Sequence, residues 1–179
     1  MMKKSYWIRF GLLYVLMTYG LGVCFAQESK PEVEQEMTVP VKRVIDGDSI
    51  LVSDPTDSSK EMEVQLEGID APELKQEFGK EASSGLSKII DKKNVRITWK
   101  SKDNYGRLLG QVYLEKLHVN SEMLKQGLAW HFKRYNKSEE LAKVEEEARG
   151  AKRGLWTKES PVAPWDYRRE NRAPDKPDR

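Results

Sequence analysis

The spacing of apolar positions changes period along the chain. From Val39, "VPVKRVIDGDSILV" sets β-branched residues on either side of an Asp-Gly-Asp, which predicts two strand segments meeting at a tight turn. "SDPTDSSKE" (53–61) reads as a loop and "MEVQLEGI" as the next strand; "NVRITWKS" (94–101) and "RLLGQVYL" (107–114) complete about five short strands. Between and after them the period becomes helical. In "EFGKEASSGLSKIIDKK", Ala82, Leu86, Ile89 and Ile90 recur at helix spacing. "VNSEMLKQGL" starts at a plausible cap, Asn120 or Ser121, and stops at Gly127. "NKSEELAKVEEEARGAKRG" starts near Asn136 or Ser138 and puts Leu141, Val144 and Ala148 on one face. This order predicts an α+β, mainly β domain, a small closed or curled sheet with three flanking helices.

The domain is expected to span residues 39–166. Ahead of it, residues 27–38 are acidic and without apolar period, and read as a flexible linker. After it, residues 167–179 are charged and Pro-bearing, and are expected to be unordered. Residues 1–26 carry Lys3, Lys4 and Arg9 ahead of an acid-free apolar run ending near Ala26, the pattern of a secretory signal peptide. The run is short beside the ~20 residues of a membrane span, so a secreted or periplasmic protein with no stable membrane association is expected. The single cysteine, Cys24, ends that run; Val23 before it disfavours a lipoprotein signal. A mature chain has no disulfide to lean on, and its core must hold it together.

Charge sharpens the picture. Residues 27–87 hold 6 basic and 15 acidic groups, whereas residues 88–137 hold 12 basic and 4 acidic. The first stretch offers carboxylates to a cation, and the second offers counter-charge to a polyanion.

Three short segments carry chemistry: "VIDGDSI" with Asp46 and Asp48, "GIDAPE" with Asp70 and Glu73, and "DNYGRLLG" with Arg107 after a Tyr-Gly turn. Singly each is an ordinary turn. Together and in this order they resemble the staphylococcal-nuclease-like (thermonuclease) family, over roughly residues 39–157. "NSEMLKQGLAW" and "ARGAKRGLW" extend the resemblance, and "PVAPWDYRR" is similar to the tails of bacterial members. The resemblance implies a five-stranded oligonucleotide/oligosaccharide-binding (OB-fold) barrel and calcium-dependent hydrolysis of phosphodiester bonds in DNA and RNA. Single strands are the expected substrate of a monomer, and 3′-phosphates the expected products.

By the same resemblance Asp48, Asp70 and the Ala71 carbonyl correspond to metal ligands, a donor set suited to the hard Ca²⁺ ion. Glu73 corresponds to the acid that deprotonates the attacking water, and Arg107 to the arginine that stabilises charge on the phosphate. Asp46 reads as a turn-former. Tyr105 and Tyr135 match aromatic positions that hold the nucleotide, with Lys102 and Lys133 as candidate phosphate contacts. Lys133 stands where a second tyrosine is expected. Trp99, Trp130 and Trp156 read as core. His118 and His131 lack a third His or Cys at ligand spacing, which argues against zinc.

One position departs from the pattern. The family carries an arginine five residues ahead of the Asp-x-Pro-Glu aspartate, and here that residue is Gln65. By strand alternation Glu67 would add negative charge on the same face. Three outcomes stay open: catalysis by the remaining groups, a replacement cation such as Lys42 or Arg43, or an impaired nuclease kept as a binding module for single-stranded nucleic acid or an extracellular partner.

Overall fold

A computed structural model describes residues 34–172. The apolar segment with Cys24, the start of the expected linker and residues 173–179 lie outside the described residues. Strands β1 (Gln35–Val44), β2 (Ser49–Ser53) and β3 (Glu61–Leu66) form an antiparallel meander, joined at the Asp-Gly-Asp turn and at the 53–61 loop. Two-residue β4 (Ile69–Asp70) follows, then helix α1 (Gly79–Ile90), β5 (Asn94–Lys102) and β6 (Leu108–Leu114). β5 pairs antiparallel with β1 and with β6, and β6 closes the sheet by pairing parallel with β3. The result is the expected α+β, mainly β architecture: a five-stranded barrel with no free edge between β3 and β6.

The rest of the chain covers the barrel. β7 (Leu117–His118) adds a short hairpin to β6, and α2 (Val119–Lys125) follows it directly. β8 (Trp130–His131) pairs antiparallel with β4, α3 (Glu139–Gly150) packs beside it, and a 3-10 turn spans Gly154–Thr157. Alternate residues of the strands fill the barrel, with Ile50, Val52, Val64, Leu66, Val95, Ile97 and Val112 fully buried. α1 seals one side with Ala82, Leu86 and Ile90, as its apolar period requires.

Three details differ from the expected elements. β1 starts at Gln35, inside the stretch expected to be linker, because Gln35–Pro40 pair in register with β5. A fourth helix, α4 (Pro164–Glu170), begins with Pro at its first turn and enters the stretch expected to be unordered. Asn120 does not cap α2, whose N-cap is His118. It is fully buried, with Nδ2 donating to the Glu67 and Gly110 carbonyls and Oδ1 accepting from Val112 N–H. Those three bonds clamp the end of β3 to β6. Asn120→Ala leaves buried backbone groups unpaired and is expected to destabilise the fold by about 2–3 kcal/mol, read by urea denaturation.

Candidate active site

The Asp-Gly-Asp turn closes through Ile45 N–H and Asp46 N–H, both directed at the Ser49 carbonyl. Asp46 Oδ1 accepts from Asp48 N–H at 3.0 Å, so Asp46 shapes the turn as the sequence suggested. Gly47 is required by packing: a Cβ there would lie 2.6 Å from the Cβ atoms of both Ala71 and Ala82. Close approach of this turn to Ala71 is what brings the first acidic segment to the second. Asp48 Oδ2 accepts from Ala71 N–H at 2.6 Å. Asp48 and Asp70 are both buried, and each stands next to that link.

Burial pushes the Asp48 carboxyl well above the ordinary range, and the neighbouring Asp46 and Asp70 charges add to the effect; Ala71 N–H and the Gln65 side chain oppose it. Asp70 is also raised, chiefly by burial, with the Arg168 guanidinium pulling it back. Burial is thus the first cause of the raised proton affinity of both carboxylates, with neighbouring carboxylate charges adding to it.

Glu73 follows Pro72 in the next turn. Its N–H donates to Gln76 Oε1 at 3.2 Å, and its carbonyl accepts from Gln76 N–H. Gly79 lets α1 start against this turn, since a Cβ would fall 1.8 Å from the Glu73 carbonyl oxygen. β4 orients Asp70 by pairing it with Trp130 of β8.

Arg107 reaches the same region from the β5–β6 turn. Its Nε donates to Asp103 Oδ2 at 2.6 Å, and its Nη1 donates to Gln65 Oε1 at 2.8 Å. Asp103 also accepts from Tyr105 N–H and Arg107 N–H, so this carboxylate fixes both the turn and the guanidinium. Sequence reasoning missed Asp103, although an Asp opening the turn before Tyr-Gly-Arg was a usable signal. Gln65 Oε1 also accepts from Ser49 Oγ at 2.8 Å, across the β2–β3 pair. A carbonyl oxygen can receive the Arg107 guanidinium, which a second arginine could not.

Other expectations are corrected. β3 ends at Leu66, and the Glu67 carboxylate accepts from Gln111 Nε2 at 3.0 Å, with no bond to Gln65 or Arg107. Lys42 and Arg43 are exposed and, among the described residues, form no ion pair with the acidic turns. The cation on those turns is Arg168 of α4. Its Nη1 and Nη2 donate to the two Asp70 oxygens at 3.0 and 2.7 Å, and Nη1 also donates to Glu73 Oε1 at 2.7 Å. Nothing in the sequence singled it out beyond its place in "PVAPWDYRR".

The proposed substrate contacts are more scattered. Tyr105 and Tyr135 are strongly exposed, on separate loops. Tyr105 lies beside the Arg107 guanidinium, and Tyr135 meets Phe132 edge-on. Lys102 is exposed at the end of β5. Lys133 instead pairs at 2.8 Å with Glu145, a glutamate buried on the inner face of α3. Burial alone would raise Glu145, but Lys133, His131 N–H and Arg149 together hold it below the ordinary range. Trp156 is buried in a small cluster with Ala148 and Leu155; Trp130 is only partly buried against that cluster, and Trp99 only partly buried against the barrel core.

The sequence pattern of staphylococcal nuclease homologues matches residues 63–158. The chain belongs to the staphylococcal nuclease family. A probable staphylococcal-like nuclease of Oryza sativa subsp. japonica is 45% identical over 123 residues, 69% of this chain and 33% of the rice protein. This chain therefore spans about a third of that plant relative. Bacterial relatives are closer in size. An uncharacterised endonuclease of Escherichia coli O157:H7 is 42% identical over 129 residues, 72% of this chain and 82% of its own length. Another from Haemophilus influenzae is 37% identical over 138 residues, 77% of this chain and 76% of its own. The barrel seen here is the one expected from the family resemblance.

Among the described residues no three His, Cys, Asp or Glu side chains converge as a preformed metal cage. Asp48 and Asp70 nevertheless fit a hard, largely hydrated cation. Both are acidic oxygen donors buried beside Ala71, and burial, with the neighbouring Asp46 and Asp70 charges, raises the proton affinity of Asp48.

Proposed function

We propose that the protein is a calcium-dependent endonuclease that hydrolyses phosphodiester bonds of DNA and RNA, with single strands preferred. The observation that carries this is the packing of the Asp48 turn on the turn that bears Asp70 and Glu73, through the Asp48–Ala71 bond, with Arg107 bonded to Gln65 on the adjoining strand. Family membership and the printed names of the bacterial relatives support it.

Asp48, Asp70 and the Ala71 carbonyl would hold the ion, which when bound supplies Lewis-acid polarisation of a phosphate oxygen. Glu73 stands at the rim, its Oε1 occupied by Arg168, and its second oxygen accepts the proton of the water that attacks phosphorus. Arg107 keeps a guanidinium face for the phosphate, and its charge favours the transition state in which negative charge accumulates. Gln65 brings no charge of its own. It sets the Arg107 fork, so the substitution retunes the site while leaving its acid–base chemistry in place. Tyr105 and Tyr135 offer exposed rings for base stacking and Lys102 a phosphate contact. Export through the apolar segment after Lys3, Lys4 and Arg9 completes the proposal, since extracellular calcium suits a weak site of few protein ligands.

The protein should cleave denatured DNA only when calcium is added and stop when calcium is chelated. Binding of a fluorescent single-stranded oligonucleotide should weaken steeply between 50 and 200 mM salt, by roughly tenfold or more. Binding that persists without any calcium-dependent cleavage would instead identify a catalytically impaired binding module. Salt-independent or absent binding would point to an extracellular interaction domain.

A further inference from the structure

The C-terminal helix is docked on the acidic turn by three separate contacts. Gln76, itself buried, accepts from Glu73 N–H with one end and donates to the Val162 carbonyl at 2.7 Å with the other. Trp165, in the first turn of α4, stacks on Phe132 at 5.3 Å and meets Trp130 edge-on at 5.6 Å. Trp130 is the residue paired with Asp70. Residues three apart on a helix share a face, so anchoring Trp165 on the β8 side of Asp70 delivers Arg168 to Asp70 itself. The guanidinium then takes both Asp70 oxygens and shares one nitrogen with Glu73. A planar fork of this kind fixes the plane of one carboxylate and its distance to the next, which a lysine cannot do. Further N–H donors of Arg168 are left for a phosphate oxygen.

We propose that Arg168 is a positioning residue of the site and its second guanidinium, supplied by the C-terminal helix where strand β3 offers only Gln65. The proposal rests on the nuclease reading above. Arg168 acts in two opposed ways. Its charge beside Asp70 repels a divalent cation and weakens its binding. Its fork holds Glu73 and Asp70 in one fixed relation, the kind of outer contact whose loss lowers activity by about 10–100-fold.

The test uses the full chain as wild type, Arg168→Ala and Arg168→Lys. Calcium affinity is measured by titration calorimetry without substrate, and kcat and KM on single-stranded DNA are measured at saturating calcium. Arg168→Ala is expected to tighten calcium binding about fivefold and to lower kcat about 10–100-fold, with KM changed less. Arg168→Lys is expected to restore the wild-type calcium affinity and leave kcat low. A kcat at or above wild type in Arg168→Ala would overturn the proposal and make Arg168 only a counter-ion that blocks the site. Unchanged calcium affinity with a lowered melting temperature would overturn it in favour of a structural tie. Wild-type cleavage no faster than that of Glu73→Gln would instead sink the nuclease reading. In that case the calcium titrations still decide whether Arg168 acts on the carboxylates at all.

Discussion

Replacing Glu73 with glutamine is expected to lower calcium-dependent cleavage by about 10³-fold and to leave the fold in place. The amide keeps a carbonyl oxygen for the Arg168 Nη1 contact, and the backbone bonds that set the turn, Glu73 N–H to Gln76 Oε1 and Gln76 N–H to the Glu73 carbonyl, do not involve the side chain. The carboxylate is more than a third exposed, so removing its charge costs little stability. Only the ability to take a proton from water is lost. Single-turnover cleavage of denatured DNA, beside a melting curve and a calcium titration, separates these effects. A loss smaller than tenfold, with folding and calcium binding intact, would show that another group takes the proton.

The pattern of alternating and helical apolar positions was sufficient to place all five barrel strands and three helices, because each element buries one face against the same core. It failed where local sequence and tertiary contact disagree. α4 is short, charged and Pro-led, and its order comes from Trp165 and the Gln76–Val162 bond, neither of which is visible in a local window. Glu145 sits on the buried face of α3 because Lys133 and His131 N–H reach it from outside its own segment, joined by Arg149 one turn further along the helix. The acidic turns were legible since Asp, Gly and Pro at tight spacing specify turns directly. What each acid touches was not. Gln65 read as a missing charge, whereas its carbonyl is the acceptor that joins Ser49 and Arg107. The sequence offers Lys42 and Arg43 of β1 as replacement cations, but the guanidinium on Asp70 is that of Arg168, 98 residues further along the chain. Contacts of that separation leave no period in the sequence.

Asp48→Asn is expected to stabilise the protein and abolish its calcium response together. The folded-state value of Asp48 is raised, by burial first and then by Asp46 and Asp70, so the folded chain holds this proton more tightly than the unfolded one. Its ionisation therefore opposes folding. The penalty is full above the raised folded value, relaxes as pH falls through it, and is gone below the ordinary carboxylate value of about 3.9. Asparagine is neutral throughout and still offers an oxygen to Ala71 N–H, the bond that joins the two acidic turns. Without calcium, Asp48→Asn should melt higher than wild type at neutral pH, and the two curves should converge in acid. Added calcium should raise the wild-type melting temperature by mass action and leave the variant unmoved. A lower melting temperature at neutral pH would mean that the charged bond to Ala71 outweighs the burial and repulsion. The expected gain has a simple origin. A carboxylate kept buried beside two others, at a cost to the fold, is favourable only once a cation joins them.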